Sequence, residues 1–444
     1  MAVSFAGPIS ARALRPDQSG LRGIVKTKGS MKRLLFSGDG SSGDLLPMVL
    51  MAREFQLAGH EVLVCGSSEF APMASDFDVP FEPYPHNYSE HYLDKQRTGY
   101  VYNIRQNIKH QEALFQGEYE VLSKVAPNFD VLFHLLHEIF VPSIAEAFGL
   151  MNIKLFTFPM VPSDRYGPPI GAPFITENRW VNRFEWGATE FSAWTIFSYY
   201  KVINELRAKL GLPPGREFLA GNSRCNHMMM GVYEELIPPC PTWDFDYSYI
   251  GPCLPKAEVS LSDPLEAFLQ RGSEPLYIGF GSMRHQNVDQ LTRTLIGAAR
   301  DTGVRLILAQ NTSSIGAELD ESDDVYILRE YPIPHHILFP RCRAAVHHGS
   351  WITTHLAARA GVPQLVLPQA SDQYIWADVL RRKGLGPKGV DMNRLSRRKL
   401  RKAIEQLVGR ADFASNAREL AERVEGIDGT KNAVRVFERL EKFR

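Results

Sequence analysis

With 444 residues the chain is long enough for two ordinary domains. Its 44% apolar and 23% charged content is that of a soluble globular protein, and 50 basic residues balance 50 acidic ones, so bulk charge gives no case for nucleic acid or an anionic membrane as partner. Five scattered cysteines (Cys65, Cys225, Cys240, Cys253 and Cys342) lack CxxC or zinc-ligand spacing, and no apolar run reaches spanning length, so a reducing cytoplasm is the expected setting.

Residues 1–30 carry Arg12, Arg15, Arg22, Lys26 and Lys28 against a lone Asp17. They read as a disordered extension or an early start codon; a transit peptide shares the composition. From Met31 the pattern changes. Arg33 to Ser37 predicts a buried first strand, followed by the loop Gly38-Asp39-Gly40-Ser41-Ser42-Gly43-Asp44 and a helix expected to open at Pro47. Strands follow at Glu61 to Cys65, Asp130 to Leu135 and Ile153 to Phe158, with a helix from Pro142 to Phe148 between the last two. Strands alternating with helices imply a parallel sheet covered on both faces.

Asn178 to Leu210 is helical and rich in aromatics (Trp180, Phe184, Trp186, Phe191, Trp194, Phe197, Tyr199, Tyr200). Packing between helices explains most of them, and a lipophilic acceptor pocket is the other use. Pro213 to Pro255, rich in Pro, Gly and Cys, reads as the connection between domains. Its Asp244-Phe245-Asp246 is a chance acid pair rather than a metal site. A second alternating half follows, with strands at Leu276 to Phe280, Arg305 to Ala309, Val325 to Leu328, Ala344 to Val346 and Gln364 to Leu367. Its helices lie near Asp289 to Asp301, Trp351 to Arg359, Tyr374 to Lys383 and Ser396 to Val408, and the chain closes on Lys431 to Phe443.

Several strand ends carry chemistry. The segment from Ala345 to Leu380 places His347-His348-Gly349-Ser350 before a helix N-terminus, where unpaired N–H groups and partial positive charge hold phosphates. Asp372-Gln373 follows the neighbouring strand and suits sugar hydroxyls. Ser282, after the strand Leu276 to Phe280, is a further phosphate donor or a plain turn residue. Adjacent histidines on a strand point to opposite faces, so His347 and His348 do not share a metal, and none is expected. Asp44 admits two readings, an N-cap of the following helix or a general base facing an interdomain cleft.

Together these segments resemble the metal-independent inverting glycosyltransferases of the GT-B fold, in the family of antibiotic, sterol and UDP-glycosyltransferases. The usual signature HHGGAGTT, AGVPQ, DQ stands here as HHGSWITT, AGVPQ and DQ. The resemblance implies two doubly wound Rossmann-like α/β domains facing across a cleft. Residues 31–240 would form the acceptor-binding domain, 241–262 the linker, 263–430 the nucleotide-sugar domain and 431–444 a helix returning to the first. It carries over His348 as the pyrophosphate histidine, Ser282, Ser350, Ile352 and Thr353 as phosphate donors, Asp372 and Gln373 as the sugar pair, and Ile333 as a contact of the base. Asp44, in GSSGDLLP where relatives read GSRGDVxP, becomes the favoured catalytic base; His137 and Glu138 are candidates to orient it. Two departures from the family stand out: Ser350 and Ile352 replace glycines, and Pro332 stands where an aromatic is usual, with Tyr331 one place early.

The expected activity is transfer of a hexose from UDP-glucose or a dTDP-sugar to a hydroxyl of a lipophilic or natural-product acceptor. The nucleotide sugar is a co-substrate, no cofactor is implied, and the chain acts as a monomer or homodimer. A nucleotide-sugar 2-epimerase of the same architecture, or a non-catalytic auxiliary protein, are the alternatives; Ile352 is the feature that favours the last.

Overall fold

The computed structural model describes residues 31–87, 100–169, 176–195, 199–215, 224–256, 260–281, 283, 287–310, 315–317, 322–330, 333–369 and 371–442. The expected extension, residues 1–30, and Ser282, Tyr331 and Pro332 lie outside the described residues.

Among the described residues twelve short strands form two parallel sheets. The first comprises β1 (Arg33–Gly38), β2 (Glu61–Ser67), β3 (Phe81–Tyr84), β4 (Val131–Leu135), β5 (Met151–Phe156), β6 (His227–Met230) and β7 (Tyr247–Tyr249), in the order β3-β2-β1-β4-β5-β6-β7. The second comprises β8 (Leu276–Gly279), β9 (Leu306–Ala309), β10 (Val325–Leu328), β11 (Ala344–His347) and β12 (Gln364–Val366), in the order β10-β9-β8-β11-β12. The central strands β4, β8 and β11 are buried along their whole length because helices cover both faces. Phe36 of β1 pairs in register with Val64 and Phe133. Its ring stacks on Phe133 at 4.6 Å.

Strand order decides where ligands go. In each sheet the direction of winding reverses once, between β1 and β4 and between β8 and β11. Neighbouring connections there leave on opposite faces, so a crevice opens beyond the carboxyl ends of the strands. The residues that follow β1, β4, β8 and β11 are the Asp39 loop, His137-Glu138, Gly281 and His348. The sequence marked the same strand ends as carrying chemistry.

Three expectations change. The first helix runs Ser42–Leu57 rather than opening at Pro47, which lies inside it. A capping box between Ser41 and Asp44 starts the helix upstream and outweighs the lost N–H of Pro47. The segment 213–255, read as a connection, supplies β6 and β7, the latter inside the residues 241–262 expected as linker. These strands are only four and three residues long at a sheet edge, so Pro-rich flanks mask their pattern. The helix Tyr100–Val125 was not foreseen. The aromatic region forms two helices, Arg179–Thr195 and Tyr199–Lys209. Trp186 is buried there and donates through Nε1 to Tyr166 O at 2.8 Å, while Trp180, Phe184 and Phe191 are exposed. Trp194 and Phe197 lie outside the residues whose side chains are described.

The terminal helix Gly429–Lys442 crosses from the second domain onto the first. Phe437 is 1% exposed, with its ring centroid 5.4 Å from Phe55 and 6.0 Å from Phe133. Lys32 closes the contact on Glu441 at 2.8 Å. The domains also meet directly: Trp351 donates through Nε1 to Gly231 O at 2.8 Å, and the Tyr233 ring lies 5.2 Å from His355. Trp351, Ile375 and Trp376 thereby join the apolar core of the first sheet. Among the described residues no helix is long and apolar enough to cross a membrane.

Truncation of Phe437 tests how firmly the return helix holds. Phe437→Ala should cost about 3–5 kcal/mol, the usual range for a fully packed Phe, read by urea unfolding. A loss below about 1 kcal/mol would show that the helix contributes little to the first domain.

Candidate active site

The first half of the site is built on the ends of β1 and β4. Gly40, at φ +129, lets the loop fold back over the helix Ser42–Leu57; a Cβ there would lie 2.6 Å from Asp44 Oδ2. Asp44 occupies the third helical position. Its Oδ2 accepts from Ser41 N at 2.8 Å and Ser41 Oγ at 2.7 Å. Both sequence readings of this residue are therefore compatible: one oxygen caps the helix and the carboxylate remains half-buried at the cleft.

Behind Asp44 lies a buried polar cluster. His137 donates through Nε2 to Asp39 O at 2.8 Å, which leaves Nδ1 to serve as an acceptor when the ring is neutral. Burial acts to lower the His137 pKa, but Asp44, Glu138 and the Asp39 carbonyl outweigh it and raise it overall. Glu138 accepts from Ser37 Oγ and from Leu135 N, the latter at 2.6 Å. Its pKa is raised by burial despite His137 and these donors. Tyr84 Oη bonds Ser37 Oγ at 2.6 Å, and His86 Nε2 meets Asp39 Oδ1 at 3.0 Å. Glu118, 2% exposed on the long helix Tyr100–Val125, completes the set; burial, then Glu138 and Asp39, hold its pKa well above the usual range.

The second half is built on the ends of β11 and β12. His347 is fully buried and spends both ring nitrogens on structure: Nδ1 accepts from Gly349 N at 3.1 Å, so Nε2 carries the proton toward Gln364 Oε1 at 2.9 Å. Burial lowers its pKa to about 4. His348, next along, turns the other way and packs against Gly281 at the end of β8. Gly349 has φ +94, and a Cβ there would strike Val366 and the backbone of Gln373. That close approach joins the turn after β11 to the helix Asp372–Arg382.

Ser350 caps the helix Trp351–Arg359, accepting from Thr353 N at 3.3 Å and donating to Thr353 Oγ1 at 2.9 Å. The side chain of Ile352 packs against two apolar clusters. Ile333, 7% exposed, is part of the core beneath β8 and β9. Gln373 Oε1 accepts from Gln369 N at 2.8 Å.

The two halves sense each other. Burial raises the Asp372 pKa to about 7, and the Asp44 carboxylate across the cleft pushes it the same way, while His137 partly offsets them. Asp44, His137 and Asp372 thus form one electrostatic group drawn from three elements and both domains. Among the described residues no group of three or more His, Cys, Asp or Glu is arranged to hold a metal ion.

The sequence did not single out Asp39 as a site residue, and missed His86, Glu118, Ser37 and Tyr84. Asp39 had a signal, as the other acid of the Gly-rich loop. Glu118 had none, because it is one acid among several on a helix whose buried face was not recognised.

Comparison with known proteins agrees with this fold. Residues 304–429 match the model of the erythromycin biosynthesis protein CIII-like C-terminal domain. A sterol 3-beta-glucosyltransferase of Arabidopsis thaliana is 27% identical over 90% of this chain, which spans 66% of that protein's length. The vancomycin aglycone glucosyltransferase of Amycolatopsis orientalis is 30% identical, covering 80% of this chain and 85% of its own. Among solved structures, the calicheamicin glycosyltransferase CalG4 superposes with a TM-score of 0.72 over 93% of this chain and 98% of its own at 16% identity. The glycosyltransferase VinC, solved with dTDP, superposes with a TM-score of 0.64 over 93% of this chain and 100% of its own at 17% identity. With two reversed parallel sheets facing across a cleft and this level of identity over most of an antibiotic glucosyltransferase, the chain belongs to the GT-B glycosyltransferase family of these antibiotic and sterol enzymes.

Proposed function

We propose that the chain transfers a hexose from a nucleoside-diphosphate sugar to a hydroxyl of a lipophilic natural product or sterol, with inversion and without a metal. The observation that carries this reading is the facing of Asp44 and His137 on one domain by Asp372 on the other, beside a helix N-terminus suited to a diphosphate.

Asp44 takes the proton of the acceptor hydroxyl. The freed oxygen forms a bond to the anomeric carbon from the face opposite the diphosphate, whose bond to that carbon breaks as the nucleoside diphosphate departs. His137, with its raised pKa, stabilises the Asp44 carboxylate and the charge that develops beside it. Main-chain N–H groups of Ser350 and Ile352, the Thr353 hydroxyl, the imidazole of His348 and the Ser282 hydroxyl hold the departing diphosphate, the task a metal performs elsewhere. Ionised Asp372 and the Gln373 amide hold sugar hydroxyls, and Ile333 flanks the nucleobase. Ile352 fits this scheme because its side chain is committed to the core.

The relatives' names support the substrate classes. Two are glucosyltransferases, acting on a sterol and on the vancomycin aglycone, and VinC was solved with dTDP. UDP-glucose and dTDP-sugars are therefore the donors to assay first.

Asp44→Asn should lower transfer by about 10²–10⁴-fold, the contribution of a positioned general base, while nucleoside-diphosphate binding by calorimetry is retained. Transfer at the wild-type rate would remove Asp44 as the base.

His348→Ala should weaken UDP or dTDP binding by about tenfold or more, the equivalent of one hydrogen bond to a charged group. Unchanged affinity would discount the phosphate assignment.

The Asp372 carboxyl holds its proton up to about 7 against an ordinary value of 3.8, so the folded chain binds that proton more tightly than the unfolded chain. Its contribution to stability is complete below about pH 4 and is lost as the pH rises through 7. Asp372→Asn should therefore gain on wild type in thermal melts as the pH rises from about 4 to 7. Melting curves that stay parallel over that range would contradict the raised value.

A further inference from the structure

The helix Asp372–Arg382 starts from a serine that does not cap it. Ser371 stands at the N-cap position, where a hydroxyl ordinarily accepts from the first turn, yet it makes no such bond. Its Oγ donates instead to Pro169 O at 2.6 Å, 202 residues earlier and in the other domain. Its backbone has φ 55 and ψ −133. Among the described residues only one other non-glycine, Asp78, has positive φ. L-residues enter this region when their surroundings hold them there, and such residues gather at functional sites. Glycine would adopt the same φ freely. A serine brings one thing that glycine lacks, a hydroxyl, and here the hydroxyl crosses the cleft.

The same first-domain segment also holds the far end of the helix. Arg382 Nη2 donates to Thr176 O at 3.3 Å, and its guanidinium lies 3.5 Å from Glu177. The turn itself is braced from its own side, because Gln373 Oε1 accepts from Gln369 N. Between these braces sit Asp372 and Gln373.

We infer that Ser371 is a positioning residue: its hydrogen bond to Pro169 across the domain interface holds the strained turn that aims Asp372 and Gln373 at the donor sugar. This rests on the donor assignment proposed above. When the two domains separate, the bond to Pro169 O is lost, and the brace from Gln373 to Gln369 N alone then stands against relaxation of the backbone to negative φ. That relaxation rotates the first residue of the helix, and with it the sugar contacts. Domain closure and grip on the sugar are thereby the same event, while the diphosphate, held by the neighbouring helix Trp351–Arg359, binds in either arrangement.

The test uses Ser371→Ala and Ser371→Gly in the full chain. Alanine keeps the Cβ and removes the hydroxyl; glycine removes the hydroxyl and the strain together. Hydrogen exchange with no substrate present should show faster exchange of amides 371–374 in both variants. UDP affinity by calorimetry should stay within about twofold of wild type, while any advantage of UDP-glucose over UDP falls and kcat drops about tenfold, the rate equivalent of one neutral hydrogen bond. A glycine variant with wild-type exchange and wild-type kcat would overturn the proposal, since the hydroxyl would then be dispensable. Equal loss of UDP and UDP-glucose binding would overturn it too, by showing general damage to the second domain. If the wild-type chain transfers no sugar, the donor reading falls, and the exchange measurement alone still decides whether Ser371 straps the two domains.

Discussion

Two carboxylates facing each other across a cleft are the constraint around which this molecule is organised. Asp44 stands on the first helix of one domain and Asp372 on the first turn of a helix in the other, near enough for the first to raise the pKa of the second. Like charges in a half-buried crevice repel, and the repulsion is bearable only with compensation nearby. His137 provides it from the end of β4, and the capping bonds of Ser41 provide it for Asp44. In the proposed reaction the hydroxyls of a sugar donate to these carboxylates and favour their ionised form.

The polar cluster beneath the first loop keeps that arrangement rigid. Ser37 bonds Tyr84 and Glu138, Asp39 bonds His86 and His137, and the stacked rings of Tyr84 and His86 join the two sets. One neutral hydrogen bond of this kind contributes about 1 kcal/mol net, but stripping a partner from a buried member costs more than that. The network therefore resists small displacements of the Asp39 loop, and the loop carries Asp44. Raised pKa values at Glu118 and Glu138 fit the same picture, since a proton kept on a buried acid turns an uncompensated charge into a donor.

Much of this was legible in the chain because parallel strands announce themselves. Uninterrupted apolar runs such as Leu34-Leu35-Phe36 and Ala344-Ala345-Val346 locate the sheets, and in a doubly wound sheet chemistry follows the strand ends. His348, Asp372 and Asp44 could be read for that reason. What escaped were elements whose meaning depends on a distant partner. β6 and β7 close one side of the first sheet and are too short to show a period; β6 pairs with β5, and β7, the edge strand, pairs with β6. The start of the first helix was misplaced because Pro47 is a strong local signal, whereas the capping box shows only once the loop geometry is known. Ser371 looks like an ordinary N-cap until Pro169 is seen to lie beside it.

Ile352 shows how a departure from a family pattern is accommodated by packing. A glycine beside a pyrophosphate is needed when a side chain would occupy the anion's volume. The second residue of a helix, however, presents its N–H outward along the axis and its side chain laterally. If the lateral direction meets a core, a branched apolar residue is accommodated there and the N–H is still free to meet an oxygen. Here that core lies at the junction of the two domains, where Trp351, the neighbour of Ile352, is itself buried and bonded to Gly231. The bulk at residues 351 and 352 thus serves the interface between domains, while the first N–H groups of the helix they open still face outward along its axis.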